Sequence, residues 1–202
     1  GTLCAPTKTG YTFEGWKTSD GTVITKDSKA TADITVVAQW SANVYKITLD
    51  NQSATSAGST AVYLKYNSGV YKEQAATNKI TSSANNITVP TKTGHKFGGY
   101  YTSTNGGGTQ LINASGYITS NFTNTYFSSA KTIYAKWTAN TYKLTYDEDG
   151  GSSCTDKTGV SYNTAWGTLC SPTKSGYTFD GWKTSSGTVI TKDSKATSNI
   201  TV

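Results

Sequence analysis

The chain of 202 residues has no Arg and no Met, one His, three Pro and three Cys, with Leu present only six times and Glu three times. Each scarcity excludes something. With Leu, Met, Glu and Arg nearly missing, the residues that favour helices are too few for a helical bundle. No apolar run approaches the roughly 20 residues of a membrane-spanning helix, so membrane insertion of this segment is not expected. The Cys and His residues show no paired spacing of the kind that holds zinc, and no metal or cofactor is read. The net charge of +6 comes from 18 cations that are all Lys, scattered singly. Without the planar Arg fork that matches guanine and phosphate, nucleic acid is not an expected partner.

What remains is polar and β-prone. Thr (38), Ser (23), Gly (20) and Asn (13) make up 94 of the 202 residues, while Val, Ile, Tyr and Trp suit a pleated, half-buried surface. The 24 aromatic residues exceed what a chain without a core carries, which disfavours disorder. Tyr142, Leu144 and Tyr146 alternate with Lys143 and Thr145, and Ile34, Val36, Ala38 and Trp40 alternate with Thr35, Val37 and Gln39. Both patterns predict half-buried strands. Tyr11 and Phe13 share a face, and Gly15 is expected to permit a bulge that re-aims Trp16. Asp20-Gly21 and Asp149-Gly150-Gly151 read as turns. One short helix is expected, over Tyr71–Lys79.

Self-comparison is the most informative step. Residues 1–36 reappear at 167–202, with 30 of 36 positions identical at an offset of 166. A weaker copy lies between them, where Pro90-Thr91-Lys92-Thr93-Gly94-His95-Lys96-Phe97-Gly98-Gly99-Tyr100 parallels Pro6-Thr7-Lys8-Thr9-Gly10-Tyr11-Thr12-Phe13-Glu14-Gly15-Trp16. Val37-Ala38-Gln39-Trp40 and Tyr134-Ala135-Lys136-Trp137 close two copies, and each is followed by a similar opening, Asn43-Val44-Tyr45-Lys46-Ile47-Thr48 or Asn140-Thr141-Tyr142-Lys143-Leu144-Thr145. The frame this gives is the back half of a unit (1–40), a complete long unit (41–137) and a unit lacking its last strand (138–202). The simplest expectation is a stretch of a longer tandem array. About four residues, none of them Gly or Pro, separate Trp40 from Tyr45 and Trp137 from Tyr142. A link so short predicts a fixed relative orientation and a semi-rigid rod, unlike a Gly/Ser tether.

The run Gly176-Tyr177-Thr178-Phe179-Asp180-Gly181-Trp182-Lys183-Thr184, preceded by Pro172-Thr173-Lys174, resembles the Listeria–Bacteroides repeat, the B repeat of internalin-type surface proteins. So do the opening Tyr142-Lys143-Leu144-Thr145-Tyr146 and the close Tyr134-Ala135-Lys136-Trp137. The resemblance covers nearly the whole chain. It implies a mainly β protein of small β-grasp-like (ubiquitin- or SUMO-like) units in tandem on bacterial cell-surface or extracellular proteins, with no enzymatic activity. The long unit departs from the pattern at His95, at Gly98-Gly99-Tyr100 and in the extra stretch 63–86.

Candidate chemistry is sparse. Cys154 and Cys170 lie 16 residues apart in one unit, and outside the cytoplasm they would close a disulfide; three reduced thiols are the alternative. Cys4 is the repeat equivalent of Cys170. Asp147-Glu148-Asp149 reads as a polar turn, because neither a calcium loop nor a paired-carboxylate cleft has its second half here. His95 stands where other copies have Tyr11 and Tyr177 and reads as an aromatic substitute. Tyr11, Phe13, Trp16, Trp40, Phe97, Trp137, Tyr177, Phe179 and Trp182 recur with the repeat and are expected in the core. Tyr66, Tyr71, Tyr100, Tyr101 and Trp166 break the pattern and are the candidate ligand-binding aromatics, exposed for a sugar or a partner protein. Two functions compete: a spacer, adhesin or fibre segment, and a carbohydrate- or protein-binding module. Expected partners are neighbouring units, other copies of the chain head-to-tail, and a host glycan or surface protein.

Overall fold

A computed structural model describes residues 1–123 and 129–202. Among these residues the protein is mainly β, with no α-helix. The chain divides into two compact units, one of residues 1–52, 57–90 and 98–136, the other of 53–56, 91–97 and 137–202.

The first unit opens with β1 (Tyr11–Thr18), β2 (Val23–Ile24) and β3 (Val36–Ala42), antiparallel in the order β2-β1-β3. The expected bulge is present: Phe13 faces Trp40 and Gly15 faces Gln39, leaving Glu14 as the extra residue. Gly15 takes φ +121°. One inserted residue turns Trp16 onto the face of Phe13, and the Phe13 ring meets Trp16 and Trp40 edge-on at 5.4 Å each. The turn at Asp20-Gly21 closes with the Gly21 N–H donating to the Thr18 carbonyl at 3.0 Å. Ile34 falls outside β3 and is 58% exposed, whereas its equivalent Ile200 pairs with Leu144.

A seven-stranded sheet follows, built from β4 (Val44–Asp50), β5 (Ala61–Lys65), β6 (Gly69–Tyr71), β7 (Lys79–Ile80), β8 (His95–Tyr101), β9 (Gln110–Ile112) and β10 (Lys131–Ala139), in the order β7-β6-β5-β4-β10-β8-β9. β10 runs parallel to β4, with Lys131 opposite Ile47 and Tyr134 opposite Asp50. Alternation puts Ile47, Leu49, Val62, Leu64, Ile133 and Ala135 inside, each at most 3% exposed.

The helix expected over Tyr71–Lys79 is not formed. β6 ends at Tyr71 and β7 begins at Lys79, with a turn between them. The Glu73 carboxylate accepts the Thr77 and Asn78 N–H groups and the Thr77 hydroxyl at 2.6–2.8 Å, and Ala76 sits at φ +54°. A side chain that captures local N–H groups in this way competes with the helical ladder.

The second unit contains β11 (Thr141–Thr145), β12 (Lys157–Ser161), β13 (Trp182–Lys183), β14 (Val189–Ile190) and β15 (Ile200–Thr201). β11 pairs antiparallel with β12 and parallel with β15. Its core is Leu144, Tyr146, Trp166, Trp182, Ala196 and Val202, with the Cys154–Cys170 disulfide packed against it. The turn at Asp149 closes as expected, Gly151 N–H to the Glu148 carbonyl at 2.8 Å.

Candidate functional site: the joints between repeats

Among the described residues, one polar and aromatic arrangement occurs twice, at the links between repeat copies. Lys8–Tyr11 forms a tight turn in which the Tyr11 N–H donates to the Lys8 carbonyl at 3.0 Å. Gly10 takes φ +77° within it, a conformation glycine adopts without steric cost. Its bare Cα face is covered by the Tyr66 ring, so closely that a Cβ there would overlap the ring. Asn43, the single residue between β3 and β4, bridges the two: its N–H donates to the Gly10 carbonyl at 3.0 Å, and its carbonyl accepts the Tyr66 N–H at 2.9 Å. Tyr11 meets Tyr66 edge-on at 5.4 Å, and the Thr12 hydroxyl donates to Asn43 Oδ1 at 2.7 Å.

The same device recurs between β10 and β11. The His95 N–H donates to the Lys92 carbonyl at 3.0 Å, the Asn140 N–H to the Gly94 carbonyl at 2.8 Å and the Tyr162 N–H to the Asn140 carbonyl at 2.8 Å. Tyr162 covers Gly94, which sits at φ +68°. His95 replaces Tyr11 and meets Tyr162 edge-on at 5.9 Å, so it serves here as an aromatic ring. Lys96 stands where Thr12 stood, and Asn140 Oδ1 is buried with no hydrogen-bond partner among the described residues. The third copy repeats the turn, Tyr177 N–H to the Lys174 carbonyl at 3.0 Å. No described atom lies against Gly176 there.

Of the aromatics expected to be exposed for a ligand, three are core residues. Tyr100, Trp166 and Tyr71 are 0%, 3% and 8% exposed. Tyr100 occupies the repeat position of Trp16 and Trp182, and its hydroxyl donates to Asn51 Oδ1. Burial, with the Asp50 charge as a smaller cause, pushes the pKa of that hydroxyl well above the usual phenol range. The backbone N–H of Trp166 donates to the Ser194 carbonyl at 3.0 Å, and Trp166 belongs to the core of the second unit. Tyr71 hydrogen-bonds Ser68 Oγ at 2.6 Å. Tyr66 is committed to the first joint, and Tyr101 lies half-buried with Lys136 Nζ 5.6 Å from its ring centroid.

The expected core set divides as well. Trp182 is 5% exposed and donates its indole N–H to the Cys170 carbonyl at 2.7 Å; Trp16 makes the matching bond to Cys4 at 2.8 Å. Tyr11, Phe13, Trp16, Trp40, Phe97 and Trp137 are half-buried, and Phe97 meets Trp137 at 5.4 Å. Tyr177 and Phe179, however, are 73% and 39% exposed. Their equivalents Tyr11 and Phe13 lie on β1, which β3 covers along one edge.

Cys154 and Cys170 are joined, with Cα atoms 6.0 Å apart, and Cys4 is an exposed thiol. Glu148 Oε1 accepts the Cys154 N–H at 2.6 Å, and Lys174 bonds the Asp149 carbonyl at 2.5 Å, so the acidic turn is tied into the local scaffold. Lys143 pairs with Asp156 at 2.6 Å; that ammonium, together with the Tyr146 N–H, holds the Asp156 carboxyl below the ordinary carboxylate range.

Comparison with known proteins identifies the family of the repeat. The profile of the Listeria-Bacteroides repeat domain matches residues 1–39, 45–136 and 142–202. A Gly-rich protein of Evansella cellulosilytica, named as a membrane protein, is 28% identical over 87% of this chain and 19% of its own length. A second protein of that organism with a membrane-protein name is 24% identical over 88% of this chain and 23% of its own. Internalin H of Listeria monocytogenes is 34% identical over 51% of this chain and 17% of its own. The chain thus spans about a fifth of the length of these relatives. No solved structure shows a significant match. With nearly every residue inside a matched segment, the chain belongs to the Listeria–Bacteroides repeat domain family.

Proposed function

We propose that the chain is a non-enzymatic, semi-rigid spacer of a bacterial cell-envelope or extracellular protein, made of the repeat segments 1–40, 41–137 and 138–202. The observation that carries the reading is the duplicated joint: Gly10–Asn43–Tyr66 and Gly94–Asn140–Tyr162 use the same two backbone hydrogen bonds and the same ring-on-glycine contact. A flexible tether has no use for such a device. Two hydrogen bonds and a buried ring contact at each joint contribute roughly 0.5–1.5 kcal/mol per bond, enough to restrict swivelling. The membrane-protein names of two relatives support a place at the envelope. The strand order β5-β4-β10-β8, with parallel β4 and β10 adjacent at its centre, supports a β-grasp-like unit. Burial of Tyr71, Tyr100 and Trp166 removes most of the aromatic surface on which a glycan-binding reading relied.

The test is reach. Inserted between a wall anchor and a fluorescent reporter on a Gram-positive cell, the chain should hold the reporter farther from the surface than a Gly/Ser linker of equal residue number. Equal height for the two would end the spacer reading.

A further inference from the structure

We infer that the long repeat binds an anionic polymer with repeating phosphodiester groups on the outer face of β4–β7, through Lys46, Tyr63, Lys65 and Lys79. It rests on the spacer reading only for the place at the cell envelope.

Charge is spread unevenly along the chain. Residues 1–40 hold four Lys and four acids, and residues 138–202 hold six Lys and six acids, so both segments are neutral. The long repeat, residues 41–137, holds eight Lys against Asp50 and Glu73 and therefore carries the whole net charge of +6. Both acids are engaged locally. Asp50 Oδ1 accepts the Gln52 N–H at 2.9 Å, and Glu73 holds the turn at Thr77 and Asn78.

Three of the eight Lys share one sheet face. Ile47, Val62, Leu64, Val70 and Ile80 take the buried face of β4–β7, so alternation turns Lys46, Tyr63, Lys65, Gly69 and Lys79 to the other. Lys46 stands opposite Tyr63, and Lys65 opposite Gly69. The Lys79 side chain lies across Gly69, where a Cβ would overlap its Cε. The bare glycine thus brings Lys79 alongside Lys65. Lys46, Lys65 and Lys79 form no ion pair among the described residues, and the Tyr63 hydroxyl has no hydrogen-bond partner there.

The short repeat supplies the contrast. Lys143, the counterpart of Lys46, is neutralised by Asp156 at 2.6 Å. β5 carries no acid, and β6 and β7 have no counterpart between β12 and β13. The extra ribbon of the long repeat therefore adds Gly69 and Lys79 to a face on which Lys46 is unpaired.

Ammonium groups donate and cannot accept, so the ligand of this face is an anion. They act as point charges and lack the planar fork with which Arg matches a carboxylate. Several of them gather instead around the spread oxygens of a phosphate. Tyr63 and Lys65 lie two residues apart on β5, about 7 Å, which gives two contact points, Lys46 with Tyr63 and Lys65 with Lys79. A flexible chain with a phosphate after every three-carbon unit spans that interval. The ligand class is accordingly a polymer of the poly(glycerol phosphate) type.

The test titrates the full chain with synthetic poly(glycerol phosphate), and with polyglutamate of equal charge, over a series of salt concentrations. The phosphate polymer should bind, with log K falling against log[salt] at a slope of about −2 for three contacts on a flexible chain. Lys46→Gln, Lys65→Gln and Lys79→Gln together should weaken binding about tenfold or more and bring the slope close to zero. The same charge loss at Lys17, Lys29 and Lys183, all exposed and outside the long repeat, should change affinity less than about twofold, because distant exposed charges are screened. Tyr63→Phe should weaken binding about threefold and leave the slope unchanged. In amide spectra of the unaltered chain, the polymer should shift β4–β7 and leave β11 and β12 in place. No binding at low salt, equal weakening by the two triple variants, or shifts confined to other strands would overturn the site. Polyglutamate bound as tightly as the phosphate polymer would overturn the phosphodiester class. Reach is measured without polymer, so failure here leaves the spacer reading to its own test.

Discussion

The Tyr162 ring lies across Gly94 so closely that no side chain larger than hydrogen fits there, and the Asn140 backbone ties the two residues together by hydrogen bonds at 2.8 Å. Tyr66 and Gly10 repeat this relationship through Asn43. The pair is the physical form of the short link in the sequence.

Gly94→Ala therefore meets two costs, a positive φ and the Tyr162 ring. Thermal or urea unfolding should show a loss of about 1–3 kcal/mol. Gly176→Ala is the control: it shares the positive φ at +79° but has no ring against it, and it should cost no more than about 1 kcal/mol. Equal losses at the two sites would show that the ring contact contributes nothing.

Lys96→Thr tests the difference between the joints. At the first joint the Thr12 hydroxyl serves Asn43 Oδ1, and at the second, where Lys96 takes the place of Thr12, Asn140 Oδ1 has no partner among the described residues. Restoring the hydroxyl should stabilise the protein by roughly 0.5–1.5 kcal/mol in urea unfolding. A neutral or destabilising result would mean that the Asn140 oxygen is satisfied by solvent.

Reduction of Cys154–Cys170 should cost about 3 kcal/mol on the loop-entropy estimate for a closed loop of this size, read as a lower denaturation midpoint under reductant. Cys4, exposed and unbridged, should react with a thiol reagent before any reductant is added. Cys154→Ser should reproduce the reductant effect, and an unchanged midpoint would remove the disulfide from the account.

Glu73 is held at about 2 by the Thr77 hydroxyl first and the Asn78 N–H second. A carboxyl whose folded value is depressed stabilises the native turn above its unfolded value, near 4.3, and loses that contribution as pH falls towards about 2. Amide exchange in residues 72–79 should accordingly accelerate over that interval, and Glu73→Gln should flatten the dependence. Acceleration only below pH 2, or none, would contradict the assignment.

Much of the fold was legible because period-two alternation and the Gly15 bulge are local properties of Tyr11–Thr18 and Val36–Trp40. Tyr177 and Phe179 were misplaced for a long-range reason: cover of the equivalent Tyr11 and Phe13 comes from β3, a strand more than twenty residues away that alternation within the run does not register. Tyr100 was misread although the repeat alignment already put it at the Trp16 position. Departure from Trp marked it as irregular, while its place in the bulged strand made it core. The expected helix over Tyr71–Lys79 failed because Glu73 bonds its own loop, a choice that propensity does not register. The joint role of Asn43, Asn140 and Tyr162 went unread, and Tyr66 was read as a ligand-binding aromatic, although a Tyr-Asn pair follows each linker Asn at nearly the same distance, Tyr66-Asn67 and Tyr162-Asn163.

The most direct test of the joints is a distance distribution between spin labels on neighbouring repeats, in a Cys4→Ser background with the disulfide intact. Labels at the exposed Val23 and at Lys72 report the first joint, and labels at Lys72 and the exposed Val189 the second. The account predicts a single narrow distribution for each pair, broadened by Tyr66→Ala in the first and Tyr162→Ala in the second. A broad distribution in the unaltered joints, like that of a Gly/Ser tether, would contradict it.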